Sequence, residues 1–183
     1  MTLASRQGLL QLLSRFHSAF DEEQAFVTRF EQLLFSPRCY HRDHLPGHIT
    51  GSAWIIDPRH ERVVLVHHAK LNRWLQPGGH ADGDENCLAV ALREAQEETG
   101  LHEFDLISDS IFDLDIHPIP ARKDFPEHLH FDVRMMMYAD ASVALKCSAE
   151  SHEVAWIPFR DIPHLTKQNP SILRMLQKSF NVR

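Results

Sequence analysis

Glu94, Glu97 and Glu98 sit within one short run of PGGHADGDENCLAVALREAQEETGL, residues 77–101. At 100° per residue they fill one arc of about 100° on a helix, with Leu88, Leu92 and Ala95 toward the opposite side. Like charges three and four residues apart repel, so this spacing works against an isolated helix. A divalent cation converts the repulsion into coordination, because carboxylate and carbonyl oxygens suit hard ions such as Mg2+ or Mn2+. The preceding PGG is expected to turn the backbone sharply and to offer the Gly79 carbonyl as a further oxygen ligand. A solvated acidic helix face is the ordinary explanation of clustered glutamates, but it accounts for neither the glycines nor the spacing.

The elements that must position these groups are legible in outline. Asn86 to Thr99 is expected as a helix, with Asn86 as N-cap and Gly100 at the C-terminal stop. HITGSAWII and RVVLVHH are β-rich runs separated by DPRH, and they predict two adjacent strands. FDLISDSIFDLDI, HLHFDVRMMMYA and HEVAWI predict three more. NPSILRMLQKSF closes the chain as a helix capped by Asn169, with Pro170 at the first position. Upstream, Leu9, Leu12, Leu13, Phe16 and Phe20, then Phe26, Val27, Phe30, Leu33 and Leu34, recur at helical spacing. They predict an N-terminal helical hairpin ended by Pro37, its second helix opened by a capping box of Asp21 and Gln24. Strands around one central helix, with another at the end, imply a mixed sheet covered by helices.

Gly79, Glu85, Arg93, Glu94, Ala95, Glu97, Glu98, Gly100 and Leu101 follow the order and spacing of the Nudix box, and every fixed position matches. Chance agreement at typical residue frequencies is on the order of 10⁻⁹ to 10⁻⁸ per starting position. The chain therefore resembles the Nudix hydrolase superfamily. That resemblance implies an α/β fold, a Nudix-type α/β/α sandwich with a mixed central sheet, and metal-dependent hydrolysis of a phosphoanhydride bond. The substrate would be a nucleoside diphosphate derivative: a nucleotide sugar, ADP-ribose, a dinucleotide or a modified nucleoside triphosphate. Residues 1–40 would be the helical hairpin, part of the same domain or a homodimer element, and 41–183 the hydrolase domain.

By position, the resemblance makes Glu97 and Glu98 the principal ligands of Mg2+ (or Mn2+) together with the Gly79 carbonyl, and Glu94 a ligand or the water-activating base. Arg93 would serve catalysis by pairing with Glu85 or Glu97 to hold the carboxylates in shape, with Glu85 and Gly100 structural. Nudix enzymes often draw another ligand or base from a late loop, and SAESHEVAW offers Glu150 and Glu153, between which the sequence does not choose.

Fourteen histidines are many for a chain of 183 residues, and they are unevenly spread. In HLHFDVR, strand alternation puts His128, His130, Asp132 and Arg134 on one face, and DIHPIP adds Asp115 and His117 two apart. If these strands pair, the face can bind phosphate, ribose or a transition metal, or it can simply be wet. His41, His44 and His48 show no partner pattern and are expected as surface or core residues. Trp54, Trp74, Phe125 and Phe131 are base-stacking candidates, although aromatics in a domain this size are more often core.

Nineteen basic against 25 acidic side chains, net −6, argues against nucleic acid or anionic membrane as a partner. An anionic small molecule then needs a local cation. No apolar run approaches a bilayer span, and three cysteines without CxxC spacing fit a reducing cytoplasm. A Nudix-fold nucleotide sensor without turnover is the alternative from another class, and it predicts a damaged box. An isopentenyl-diphosphate-isomerase-like enzyme would need a cysteine in a catalytic context, which is not seen.

Overall fold

The computed structural model describes residues 5–123 and 125–181. Helices α1 (Arg6–Leu13) and α2 (Asp21–Leu34) precede strands β1 (Gly47–Ile56), β2 (Arg62–His68), β3 (Arg73–Leu75) and β4 (Gly78–His80). Helix α3 (Cys87–Thr99) is followed by β5 (Asp105–Leu106), β6 (Asp113–Ile119), β7 (His128–Tyr138) and β8 (Ser151–Pro158), then by α4 (Ile162–Leu165) and α5 (Pro170–Ser179). The strands form one eight-stranded mixed sheet in the order β3-β2-β1-β7-β5, with β4 on β1, β6 on β7 and β8 on β2. This is the α/β architecture expected from the box and its flanking strands. No helix among the described residues is long and apolar enough to cross a membrane.

The chain divides into two compact units, and β1, α3 and β7 each contribute to both. One unit comprises residues 1–52, 79–91 and 108–135. Here α1 and α2 pack together, with Leu9, Leu13, Phe26, Phe30 and Leu34 buried, and Phe30 meets Phe131 edge-on at 5.2 Å. Helix α2 lies against β6, and its fully buried Glu23 explains the fit: one carboxylate oxygen accepts the Leu114 N–H at 2.9 Å and the other accepts the Ser18 hydroxyl. Burying a carboxylate is costly unless its lone pairs are satisfied. The expected capping box does not form. Phe20 occupies the N-cap, and the Gln24 side chain instead accepts the Ser18 N–H at 3.1 Å.

The other unit comprises residues 53–78, 92–107 and 136–183. Strand β2 pairs along its length with β8, from Arg62↔Pro158 to His68↔Ser151. The turn from β1 to β2 is held by Asp57, whose Oδ1 accepts the backbone N–H of Glu61 and Arg62 at 2.8 and 2.6 Å. Trp54 is fully buried and donates its indole N–H to Ser179 Oγ at 2.7 Å, which ties the strand to α5. Asn169 caps α5 through the Ser171 and Ile172 N–H groups. The stretch expected as one strand over 104–116 is two, because the polar run at Ser108–Ser110 folds back on itself through side chain-to-backbone bonding.

Candidate active site

Helix α3 begins and ends as its sequence dictates. Asn86 Oδ1 accepts the Ala89 N–H at 3.0 Å, and Gly100 takes the left-handed φ of +70° that stops the helix. A side chain at Gly100 would also strike Lys146, whose N–H donates to the Thr99 carbonyl at 2.8 Å.

Glu98 is the buried member of the carboxylate turn, 7% exposed, and its Oε2 accepts the Gly78 N–H at 3.0 Å. The PGG segment acts through this amide rather than through a sharp turn: Gly78 and Gly79 are extended residues of β4, and neither has a left-handed φ. The Glu94 side chain is 13% exposed and that of Glu97 59%. Arg93 places one guanidinium nitrogen 2.6 Å from Glu94 and 3.7 Å from Glu97. The expected alternative pairing with Glu85 is not made, since Glu85 pairs with Arg6 at 2.9 Å and accepts the Arg6 N–H.

Burial pushes the Glu98 carboxyl up to about 7, and the nearby charges of Glu94, Glu150 and Glu97 reinforce the rise against the opposing Gly78 hydrogen bond. The Glu94 carboxyl is also raised, first by burial and then by Glu97 and Glu150, with Arg93 pulling the other way. Of the two late-loop carboxylates, Glu150 contributes to the rise at both Glu94 and Glu98. Glu153 lies on β8, exposed and opposite His67.

In the unit that contains the hairpin, β6 and β7 pair antiparallel with Asp113↔Arg134, Asp115↔Asp132 and His117↔His130 in register. Arg134 is buried and reaches three carboxylates: Asp132 at 2.8 Å, Asp113 at 3.0 Å and Asp115 at 3.1 Å. Asp132 also accepts the Thr50 and Ser52 hydroxyls. Burial opposes the guanidinium charge, but Asp115, Asp132 and Asp113 together outweigh it and hold Arg134 protonated. His117 donates from Nδ1 to Asp115 at 2.9 Å and is half-exposed.

Beyond these, the polar face gathers histidines. The His130 ring centroid lies 4.9 Å from His48, 5.0 Å from His80, 5.3 Å from His128 and 5.5 Å from His117. Burial above all, and then the crowding of other imidazoles with Arg42 nearby for His48 and His80, depress His48 and His80 to about 4 and His130 to about 2, so all three are neutral imidazoles at neutral pH. His48 and His80 are absent from the sequence expectation for this cluster. The signal that could have found His48 is the alternation His48, Thr50, Ser52 along GHITGS, which mirrors His128, His130, Asp132 along HLHFD. Of the aromatic candidates, Trp54 and Phe131 are buried in the core, Trp74 stacks on His67 at 5.2 Å, and Phe125 meets His128 edge-on at 4.9 Å.

A family model, the NUDIX domain, matches residues 47–178. Among curated relatives, the rat bis(5'-nucleosyl)-tetraphosphatase (asymmetrical) is 32% identical over 97 residues, covering 53% of this chain and 63% of that one. A probable DHNTP pyrophosphohydrolase of Lactococcus lactis is 26% identical over 140 residues, with 75% and 78% covered. The Arabidopsis thaliana mRNA-decapping enzyme subunit 2 is 24% identical over 169 residues, 91% of this chain and 41% of that one. The chain thus spans less than two thirds of the length of the Arabidopsis and rat relatives. The structure of a C. elegans Ap4A hydrolase binary complex superposes with a TM-score of 0.58 at 14% identity, covering 73% of this chain and 95% of that one, a likeness of fold alone. With the family model matched across most of its length and every fixed position of the box in place on α3 and the segment leading into it, the chain belongs to the NUDIX family.

Proposed function

We propose that this chain is a divalent-metal-dependent pyrophosphohydrolase that cleaves the diphosphate linkage of a nucleoside diphosphate derivative by attack of water on phosphorus. The observation that carries this reading is the buried Glu98 carboxylate, held by the Gly78 N–H amid the charges of Glu94, Glu150 and Glu97. An all-oxygen set whose members raise one another's proton affinity fits a hard cation such as Mg2+ or Mn2+. Such a cation supplies charge neutralisation for the diphosphate and acidifies the attacking water. Glu97, Glu98 and the Gly79 carbonyl would hold it, with Glu150 in preference to Glu153 as the late-loop carboxylate. Glu94, made more basic by burial and clamped by Arg93, is suited to take the proton from water. On the polar face, half-exposed His117 is the member open to substrate, while Asp132 and Arg134 keep that face in shape. Three free cysteines, two of them buried, suit a reducing cytoplasm.

The test is a phosphate-release screen over dinucleoside polyphosphates, pteridine and oxidised nucleoside triphosphates, nucleotide sugars and ADP-ribose, with Mg2+ and with Mn2+ and with Glu97→Gln as the blank. Turnover of at least one class above the blank is expected. A silent panel accompanied by tight nucleotide binding would overturn hydrolysis in favour of a sensor.

Glu98 also predicts how metal-free stability depends on pH. Its folded carboxyl titrates near 7 against the ordinary 4.5, so the folded state holds the proton more tightly than the unfolded chain. Stability without metal therefore falls as pH rises from about 4.5 to about 7 and levels off above, a loss on the order of 3 kcal/mol from this group. Because the cation competes with the proton, Mg2+ is expected to raise Tm more at about pH 8 than at about pH 5. Scanning calorimetry at both pH values checks this, and equal shifts would contradict it.

A further inference from the structure

The histidines of β1 and β7 carry a separate chemistry. Centroids of the His48 ring lie 5.0 Å from His128 and 4.9 Å from His130, and one ring nitrogen of each residue lies within 4.8 Å of the others. Two of the three rings are anchored from behind by backbone. His128 Nδ1 lies 3.0 Å from the Pro126 carbonyl, and His48 Nδ1 lies 3.4 Å from the His44 carbonyl. A carbonyl only accepts, so each Nδ1 carries a proton, and Nε2 is the nitrogen free to offer a lone pair to a metal. His48 is fully buried, and its Nε2 and that of His130 have no hydrogen-bond partner. A ring nitrogen shut away from water without a partner costs stability whether it carries a proton or a lone pair, and two of the three histidines hold one.

A cation resolves this conflict. Imidazole nitrogens favour borderline transition metals over Mg2+, and a backbone carbonyl behind the ring is the usual partner of a metal-bound histidine. Tetrahedral Zn2+ with bonds of about 2.0–2.1 Å needs its nitrogens about 3.3 Å apart, inside the 4.8 Å within which they lie, so the rings draw together when the ion binds. We propose that His48, His128 and His130 form a three-imidazole site for a borderline divalent transition-metal cation, Zn2+ by its donor set, made of residues other than the α3 carboxylates. Three protein ligands leave an open fourth position, and the cation would staple β1 to β7.

Titration of the untagged, chelator-stripped chain with Co2+, followed by displacement with Zn2+, tests the proposal. Wild type is expected to bind one equivalent with the visible spectrum of tetrahedral nitrogen ligation. His130→Asn should bind at least about tenfold more weakly, and Glu98→Gln should bind as wild type. X-ray absorption on wild type carrying one equivalent of Zn2+ needs no variant to fold, and imidazole nitrogens at about 2.0–2.1 Å are expected. An oxygen-only shell, no binding at all, or binding lost in Glu98→Gln and kept in His130→Asn would each overturn the site.

Discussion

Glu98→Gln is expected to lower Mg2+-dependent turnover by about two orders of magnitude, about 2.7 kcal/mol of barrier, with the fold intact. The substitution is nearly isosteric, and its amide oxygen can still accept the Gly78 N–H that Glu98 accepts at 3.0 Å. What it removes is one negative charge from the group formed with Glu94, Glu97 and Glu150, and in the proposed metal site that charge is a large part of what would favour a divalent ion. The same change relieves a buried carboxyl that burial pushes up to about 7, so above neutral pH the metal-free variant should be more stable than wild type. It should also lose the Mg2+-induced rise in Tm. Steady-state kinetics with varied Mg2+, alongside calorimetry of the metal-free proteins, separates these effects. Wild-type turnover in a folded Glu98→Gln protein would remove Glu98 from the metal site.

The parts of the site that are legible in the sequence are those that a single helix writes. Asn86, Glu94, Glu97, Glu98 and Gly100 lie within 15 residues, so 3.6-residue periodicity and capping rules alone place them on one helix. What the sequence withholds are choices between distant partners. Arg93 has two acidic candidates by spacing, Glu85 and Glu97; Glu85 is already engaged by Arg6 from α1, and the nearer partner proves to be the adjacent Glu94. Glu150 and Glu153 are equivalent by spacing, and that Glu153 pairs opposite His67 on β2 depends on the β2–β8 register, which no local pattern contains. The capping box fails for a similar reason: Glu23, one residue before Gln24, is drawn to Ser18 and Leu114, a contact 91 residues away that no local rule contains. Strand alternation does place His128, His130, Asp132 and Arg134 on one face. It cannot say that His48 joins the histidine end and Thr50 and Ser52 the aspartate end, because that depends on which strand becomes the neighbour of β7.

Arg134→Met is expected to cost about 3–5 kcal/mol of folding stability. The wild-type guanidinium is 3% exposed and divides its fork among Asp132, Asp113 and Asp115 at 2.8–3.1 Å. Methionine keeps the length and apolar stem but leaves the three carboxylates facing one another without the cation that joins them. The hydroxyls of Thr50 and Ser52 still serve Asp132 and the His117 ring still serves Asp115, so what the substitution removes is the shared cation rather than every donor. Arg134→Lys should recover only part of the loss, because an ammonium cannot present the planar fork that meets three acceptors at once. Adding Asp113→Asn to Arg134→Met removes one of the opposed charges, so the double variant should be more stable than Arg134→Met alone, a non-additivity of more than about 1 kcal/mol. Denaturant midpoints of the four proteins in that cycle measure it. If Arg134→Met lowered stability by less than about 1 kcal/mol, the three-carboxylate clamp would not be what holds β6 to β7 beneath the histidines.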